Sequence, residues 1–146
     1  MRILLMNGPN LNMLGRRNHT HYGTKTLPQI NKALEMLARK LSVSVQFYQS
    51  NHEGELIDFI HKESSDASGI LINPGALSHY GYSLRDAIED SRLPTVIVHL
   101  SDVSKREDFR KIDVFQDIAL EVVAGLKEKS YEVGLEKLIE HIRKVS

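Results

Sequence analysis

A polar segment near the start of the chain carries side chains that could perform acid–base chemistry. An apolar strand ending at Asn7 is followed by Gly8–Thr24, which contains Arg17 and Tyr22. Loops longer than about 12–15 residues in compact domains are commonly functional lids or disordered segments. Free tyrosine has a pKa of about 10, so a tyrosinate near neutral pH needs roughly 4 kcal/mol of stabilisation, which nearby arginines could supply. The segment is therefore a candidate lid with a tyrosine base, although loop tyrosines more often pack as amphipathic side chains.

Two later segments carry the other polar groups of the candidate site. The first supplies Asn73 and His79, and the second supplies His99 and Ser101. Free histidine has a pKa of about 6.5, so His99 could deliver a proton to a leaving group. The Ser101 hydroxyl and backbone N–H groups near a predicted helix start could hold a carboxylate. A hydrogen-bonded core histidine is an equally compatible role for His99, which ends an apolar strand.

The elements between these segments predict one α/β domain over residues 1–146, because apolar runs of strand length alternate with runs of helical period. The predicted strands are Arg2–Asn7, Val43–Gln49, Gly69–Asn73, Thr95–His99 and Glu121–Leu126. The second strand alternates apolar and polar residues, which is typical of an edge strand. This pattern matches the flavodoxin-like order 2-1-3-4-5, a three-layer sandwich in which ligands bind beyond the carboxyl ends of strands one and three. The three polar segments are therefore expected to meet there.

Two pairs of residues predict where helices begin. Thr26 with Gln29, and Ser104 with Glu107, have the spacing of a capping box, which satisfies free N–H groups at a helix start. Apolar residues recur on one helical face after Thr26 and again near the end of the chain. These residues are Leu27, Ile30, Leu34, Leu37, Ala38 and Leu41, and then Leu135, Leu138, Ile139 and Ile142.

Composition restricts the partners of the chain. Its net charge of +0 removes the electrostatic argument for binding nucleic acid or an anionic membrane. It has no cysteine, which excludes disulfides and thiolate metal sites. His19 and His21 lack a convincing third ligand, so no metal site is predicted. The apolar run at the start is too short for a signal peptide or a membrane helix, and we expect a cytoplasmic protein that binds a small molecule or another protein.

Five motifs, in order along the chain, resemble the type II 3-dehydroquinate dehydratases. They are Asn7-Gly8-Pro9-Asn10-Leu11-Asn12-Met13-Leu14-Gly15, Gln49-Ser50-Asn51-His52-Glu53-Gly54, Asn73-Pro74-Gly75-Ala76, Leu84-Arg85-Asp86-Ala87 and His99-Leu100-Ser101. The resemblance implies a flavodoxin-like fold and anti elimination of water from 3-dehydroquinate to give 3-dehydroshikimate, through an enolate and without a metal or other cofactor. This reaction is common to the shikimate pathway of aromatic amino acid biosynthesis and to quinate catabolism.

The matched positions imply a role for each candidate catalytic residue. Tyr22 resembles the base that takes the C2 proton, and Arg17 resembles the cation that favours its ionised form. His99 resembles the acid that protonates the departing hydroxyl. Asn10 would hold a water against the enolate oxygen, an arrangement of the oxyanion-hole type.

Other matched positions imply contacts with substrate and with neighbouring subunits. The ring hydroxyls would be bound by Asn73, His79 and Arg110, and the carboxylate by Leu100 and Ser101. Arg106 lies in the same basic cluster as Arg110 and is a further candidate for binding the ligand, although a solvated face is the usual role of such a cluster. Asp86 would reach the site of a neighbouring subunit, because members of the family form homododecamers built as tetramers of trimers.

Four departures from the family pattern affect the surroundings of the site. Asn18-His19 stands where Glu-Pro usually follows the catalytic arginine, and Ile97 stands where a glutamate usually precedes the catalytic histidine. The segments Lys111–Val114 and Lys127–Ser130 also differ from the usual sequence. Loss of a residue that orients a catalytic group costs about 10- to 100-fold in comparable sites, so a weakened enzyme is one interpretation.

Two other classes of function remain to be considered. A phospho-receiver domain needs an acidic cluster where this chain has Asn7 and Asn10, and a flavin carrier needs a phosphate loop and aromatic walls, whereas the chain has no tryptophan. A non-catalytic relative that binds the ligand without efficient turnover is the second alternative. The dehydratase is the leading prediction because Asn10, Arg17, Tyr22 and His99 are all present.

Overall fold

The computed structural model describes residues 1–146 and contains one parallel sheet of five strands in the order β2-β1-β3-β4-β5. The strands are β1 (Arg2–Asn7), β2 (Ser44–Gln49), β3 (Gly69–Asn73), β4 (Thr95–His99) and β5 (Glu121–Ala124). The predicted flavodoxin-like order is confirmed. Two boundaries shift: β2 begins one residue later than predicted, and β5 ends at Ala124 because Gly125 turns the chain with a φ of 84°.

Five α-helices connect the strands and complete a three-layer arrangement. They are α1 (His19–Tyr22), α2 (Leu27–Lys40), α3 (Glu53–Glu63), α4 (Tyr82–Ser91) and α5 (Lys129–Val145). Side chains of α2 and α5 share one core cluster with Ile3 and Leu5, while α3 and α4 share a second cluster with Leu4 and Met6. Because successive residues of a strand point to opposite faces, α2 and α5 cover one face of the sheet and α3 and α4 cover the other. No helix is long and apolar enough to cross a membrane.

The predicted edge position of β2 follows from its side chains. Its six residues are exposed or half-buried, whereas every residue of β3 and β4 is buried. The strand pairs only with β1, with Arg2 opposite Ser44 and Asn7 opposite Gln49. Alternation of polar and apolar residues therefore identified the strand that is covered least completely.

One of the two predicted capping boxes is present. The backbone N–H of Gln29 donates to the Thr26 hydroxyl (3.3 Å) and the backbone N–H of Thr26 donates to the Gln29 side chain (2.9 Å), as predicted for the start of α2. The prediction for Ser104 and Glu107 is wrong. Ser104 donates to Asp102, which caps a single 3-10 turn (Val103–Lys105). Because Asp102 satisfies this N–H group two residues earlier, no α-helix begins at Ser104.

The carboxyl ends of β1, β3 and β4 lie side by side and carry the polar segments identified in the sequence. Asn7 pairs in register with Asn73, and His99 ends the adjacent strand β4. The loop after β1 passes so close to the loop after β3 that a Cβ on Gly8 would lie 2.4 Å from the Pro74 carbonyl oxygen. Glycine at this position lets the two loops meet beside the sheet.

Candidate active site

One pocket opens beyond the carboxyl ends of β1, β3 and β4, and nearly all of the predicted site residues line it. They are Asn10, Arg17, Tyr22, Asn73, His79, His99, Leu100, Ser101, Arg106 and Arg110. Asp86 does not line the pocket; it lies on α4 with 70% of its side chain exposed. Its role in a neighbouring subunit's site stays a prediction. The fold therefore collects residues that are up to 100 positions apart in the chain, from Asn10 to Arg110.

Two guanidinium groups surround Tyr22. Arg106 donates a 2.6 Å hydrogen bond from an Nη atom to the Tyr22 hydroxyl, and the Arg17 guanidinium lies 3.8 Å from the centre of the tyrosine ring. Hydrogen bonds and nearby positive charges both favour the ionised form of an acid. The sequence placed Arg17 beside Tyr22 but treated Arg106 only as a ligand-binding residue. Its direct bond to the hydroxyl comes from a contact between residues 84 positions apart, which no local pattern reveals.

The short helix α1 holds Tyr22 at the pocket. Asn18 caps this helix by accepting a 2.9 Å hydrogen bond from the Thr20 backbone N–H, and Gly23 closes it by donating to the His19 carbonyl. The His19 ring nitrogen lies 3.1 Å from the Gly15 carbonyl oxygen. Asn18 and His19, which the sequence analysis identified as a departure from the family pattern beside Arg17, thus both take part in the local hydrogen bonds of the loop.

An acidic side chain lies between two of the arginines and close to both. Glu107 accepts a 2.8 Å hydrogen bond from Arg110 and lies 3.8 Å from Arg106. A hydrogen bond from its own backbone N–H, assisted by Arg110, holds the pKa of the Glu107 carboxyl below its usual range. Arg17, Arg106 and Arg110 line the pocket and Glu107 does not, although its carboxylate offsets part of the charge of Arg106 and Arg110.

His99 and the two residues after it form another wall of the pocket. His99 and Ser101 are each 6% exposed. The Leu100 carbonyl accepts a 2.9 Å hydrogen bond from the Lys127 backbone N–H, which holds Leu100 in place. The altered segment Lys127–Ser130 therefore supports this wall. The Ser101 hydroxyl makes no hydrogen bond within the chain. Since only a 3-10 turn follows it, a carboxylate here would be bound by individual N–H and hydroxyl groups and not by an α-helix start.

Two further lining residues, His79 and Asn10, are oriented by the surrounding chain. The Nδ1 atom of His79 lies 2.6 Å from the Ile112 carbonyl oxygen. Because a carbonyl oxygen only accepts, Nδ1 carries the proton, and Nε2 is the nitrogen without a partner in the chain. Asn10 adopts the left-handed conformation, with a φ of 69°, and its backbone N–H donates to the Asn51 side chain at 2.9 Å. Strained backbone of this kind is common where a side chain is positioned for function.

A buried hydrogen-bond network that the sequence did not indicate fixes Asn73. The Tyr131 hydroxyl, on α5, donates to the Asn7 side-chain oxygen (2.5 Å) and accepts from the Asn73 amide nitrogen (3.0 Å). The Asn73 oxygen in turn accepts from the Gly75 backbone N–H. Because each polar group has a partner, the Asn73 amide has one preferred orientation at the floor of the pocket.

This network predicts a dependence of stability on alkaline pH. Burial raises the pKa of the Tyr131 hydroxyl above its ordinary value, with hydrogen bonding to Asn73 opposing the shift. Its contribution to stability is complete below pH of about 10 and is lost above it, by up to about 1.4 kcal/mol per pH unit, because only the unfolded chain releases the proton. Urea unfolding at pH values of about 8 and 11 should show a larger loss of stability in the unmodified protein than in Tyr131→Phe. An equal loss in both proteins would contradict this role.

Comparisons with known proteins agree on one family. The family model described as Dehydroquinase class II matches residues 1–139. A 3-dehydroquinate dehydratase of Halothermothrix orenii is 49% identical over 99% of this chain and 98% of its own length, and one of Roseiflexus castenholzii is 49% identical over 95% and 88%. The crystal structure of a type II dehydroquinase from Butyrivibrio crossotus has a TM-score of 0.91 and 38% identity, covering 94% of this chain and 97% of that one.

Proposed function

The chain belongs to the class II dehydroquinase family and dehydrates 3-dehydroquinate, and we propose that its pocket does so through an enolate, with Tyr22 as the base and His99 as the acid. One observation carries this assignment. The Tyr22 hydroxyl is bonded to one arginine and its ring is stacked on another, in a pocket that His99 also lines. These contacts place two guanidinium groups against the phenol.

In the first step the Tyr22 oxygen removes the C2 proton, which is acidic because it lies beside the C3 ketone. The electrons of the C–H bond move into the carbonyl and form an enolate. Arg17 and Arg106 would stabilise the tyrosinate before the step, and their charge remains close to the enolate afterwards. Asn10 would hold a water molecule against the enolate oxygen, which lowers the barrier by stabilising charge as it develops.

In the second step the enolate oxygen re-forms the C3 ketone, the electron pair of the C2–C3 double bond forms the C1–C2 double bond, and the C1–O bond breaks as the hydroxyl leaves. Hydroxide is a poor leaving group, so it needs a proton, and His99 would donate one to make the departing group water. The site returns to its starting state when the proton taken by Tyr22 is released and His99 regains one from solvent. No metal and no covalent bond to the protein is needed in this scheme.

The remaining residues of the pocket would hold the ring in position. Asn73, His79 and Arg110 present donors and acceptors for the ring hydroxyls, while Leu100 and Ser101 present N–H and hydroxyl groups to the carboxylate. The guanidinium groups of the arginines that line the pocket would add affinity for this anion. We also propose that the protein is a cytoplasmic homododecamer, a tetramer of trimers, in which Asp86 contacts the site of a neighbouring subunit.

The reaction itself is tested by incubating the purified protein with 3-dehydroquinate and following the conjugated enone of the product in the near ultraviolet. We expect continuous turnover without an added metal or cofactor. Tight binding of 3-dehydroquinate by calorimetry, with no product after long incubation, would instead identify a relative that binds the ligand without catalysis.

Arg106 provides a specific prediction of this scheme. Arg106→Met keeps an unbranched side chain but removes the charge and the hydrogen bond to Tyr22, and hydrogen bonds to charged groups contribute about 1.5–3 kcal/mol. We therefore expect kcat/KM to fall by about 10- to 100-fold. The matched control is Arg16→Met, in the same loop, because Arg16 is exposed and does not line the pocket. Equal activity of the two variants would show that Arg106 does not assist the base.

A further inference from the structure

A carboxylate that does not line the pocket lies behind His99. Asp113 places Oδ2 3.4 Å from the Nε2 atom of His99, and their side chains are only 11% and 7% exposed. His99 lines the pocket and Asp113 does not. The sequence did not indicate this pair, because the two residues are 14 positions apart on a strand and a loop.

The orientation of the Asp113 carboxylate is fixed within its own loop. Its other oxygen, Oδ1, accepts a 2.9 Å hydrogen bond from the Phe115 backbone N–H. Phe115 is fully buried in the core cluster shared with α3 and α4. With Oδ1 engaged and Phe115 anchored, Oδ2 is the oxygen that remains available to His99.

Two further contacts hold this loop against the rest of the domain. The Val114 backbone N–H donates to the Ser78 carbonyl (2.7 Å), and the Val114 carbonyl accepts from Arg85 Nε (2.9 Å). Arg85 is itself bonded to Asp117 at 2.8 Å, and this hydrogen bond holds the pKa of the Asp117 carboxyl below its usual range. Asp113 is therefore presented to His99 by a loop tied to two neighbouring elements and to the core.

No other acidic group faces His99 in the structure. Two residues earlier on the same face of β4, Ile97 is fully buried in the apolar cluster that contains Phe115. The charged and titratable groups that share the pocket side of His99 are Arg17, Tyr22, His79, Arg106 and Arg110, none of which is a carboxylic acid. Asp113 thus supplies the one carboxylate at this ring, from a loop and not from the strand.

We propose that Asp113 is the positioning residue of the general acid, an inference that rests on the proposed function of His99. By accepting a hydrogen bond from Nε2–H, Asp113 fixes the ring and its tautomer, and leaves Nδ1 as the nitrogen that transfers a proton to the leaving hydroxyl. Nδ1 makes no hydrogen bond within the chain, which is consistent with that task. In the charged ring Nε2–H stays bonded to Asp113 while the Nδ1 proton moves to the C1 oxygen and the C1–O bond breaks.

The proposal is tested with Asp113→Asn, which keeps the size of the side chain and the oxygen that accepts from Phe115. The amide has no charge, and its NH2 group can donate to Nε2. It therefore favours the tautomer of His99 in which Nε2 carries no proton, the opposite of the one that Asp113 selects. We expect kcat for dehydration to fall by about 10- to 100-fold, the range seen when a partner that orients histidine is lost, with KM within about twofold of the unmodified value. Asp108→Asn is the matched control, because the Asp108 side chain is 98% exposed and faces Lys111.

A second readout in the same samples separates positioning from general damage. In D2O, formation of the enolate by Tyr22 exchanges the C2 proton of 3-dehydroquinate for deuterium, and this step does not use His99. Proton NMR should show exchange continuing in Asp113→Asn while dehydration slows, so the ratio of exchange to dehydration rises at least about tenfold. A parallel fall of both rates, or an unchanged dehydration rate, would overturn the proposal. Absence of dehydration in the unmodified protein would instead contradict the proposed function.

Discussion

Replacing Tyr22 by phenylalanine is expected to lower kcat for dehydration by at least about 10²- to 10⁴-fold, the range attributed to a single general base. The ring that packs against the core beside α2 and stacks on Arg17 is kept, and only the oxygen bonded to Arg106 is lost. The change therefore removes the proton acceptor with little effect on the shape of the pocket. KM should stay within a few-fold, because Tyr22 is not proposed to bind the ring hydroxyls.

The control for this substitution is Tyr48→Phe. Tyr48 lies on the edge strand β2, stacked on Phe59 at 4.3 Å between ring centres, and its hydroxyl has no hydrogen bond within the chain. Steady-state rates from the enone absorbance should be near the unmodified value for Tyr48→Phe and near background for Tyr22→Phe. If Tyr22→Phe kept more than about a tenth of the activity, another group would be the base.

Replacing His99 is the second change with a large expected effect. His99→Asn removes the acid while keeping a polar side chain of smaller size next to Asp113. We expect dehydration to fall by about 10²- to 10⁴-fold, while exchange of the C2 proton with D2O continues. The two effects separate because the tyrosinate forms the enolate before the leaving group is protonated.

This prediction is checked by proton NMR of 3-dehydroquinate in D2O, with His61→Asn as the control. His61 is exposed on α3 and lies outside the pocket. The control should dehydrate the substrate at the unmodified rate. Loss of exchange together with dehydration in His99→Asn would contradict the assignment of His99 to the second step alone.

The strand order could be predicted because the burial of each strand is reflected in its pattern of apolar and polar residues. The runs that became β1, β3 and β4 are almost continuously apolar, and the alternating run became the edge strand β2. The cap at Thr26 could be predicted for a related reason, since both of its hydrogen bonds join residues three positions apart. At Ser104 the same spacing did not give a capping box, because the Asp102 side chain accepts from the Ser104 backbone N–H in place of Glu107.

The position of a candidate residue in the fold could be predicted where one strand end or one loop supplies it, whereas contacts between two distant side chains could not. Tyr22, Asn73 and His99 each lie at or after the carboxyl end of a strand, where the sequence predicts the site. The bond from Arg106 to Tyr22 joins residues 84 positions apart, and that from Tyr131 to Asn7 joins residues 124 positions apart. Such contacts depend on how the helices and loops pack, and spacing along the chain does not encode them.

The structure shows what the side chains at the departures from the family pattern contact. Ile97 replaces a glutamate and packs in the apolar core, yet His99 still faces a carboxylate because Asp113 lies in one of the other altered segments. Asn18 caps the helix that carries Tyr22. These substitutions therefore predict an active enzyme with a different set of supporting residues.

The central claim is that the Tyr22 oxygen removes the C2 proton, and one comparison tests it most directly. Exchange of that proton with D2O is measured in His99→Asn and in the double variant Tyr22→Phe with His99→Asn, both of which are expected to complete the elimination only slowly. We predict that the single variant exchanges the proton and that the double variant exchanges it only at the spontaneous rate. Equal exchange by the two variants, in folded protein, would contradict the account.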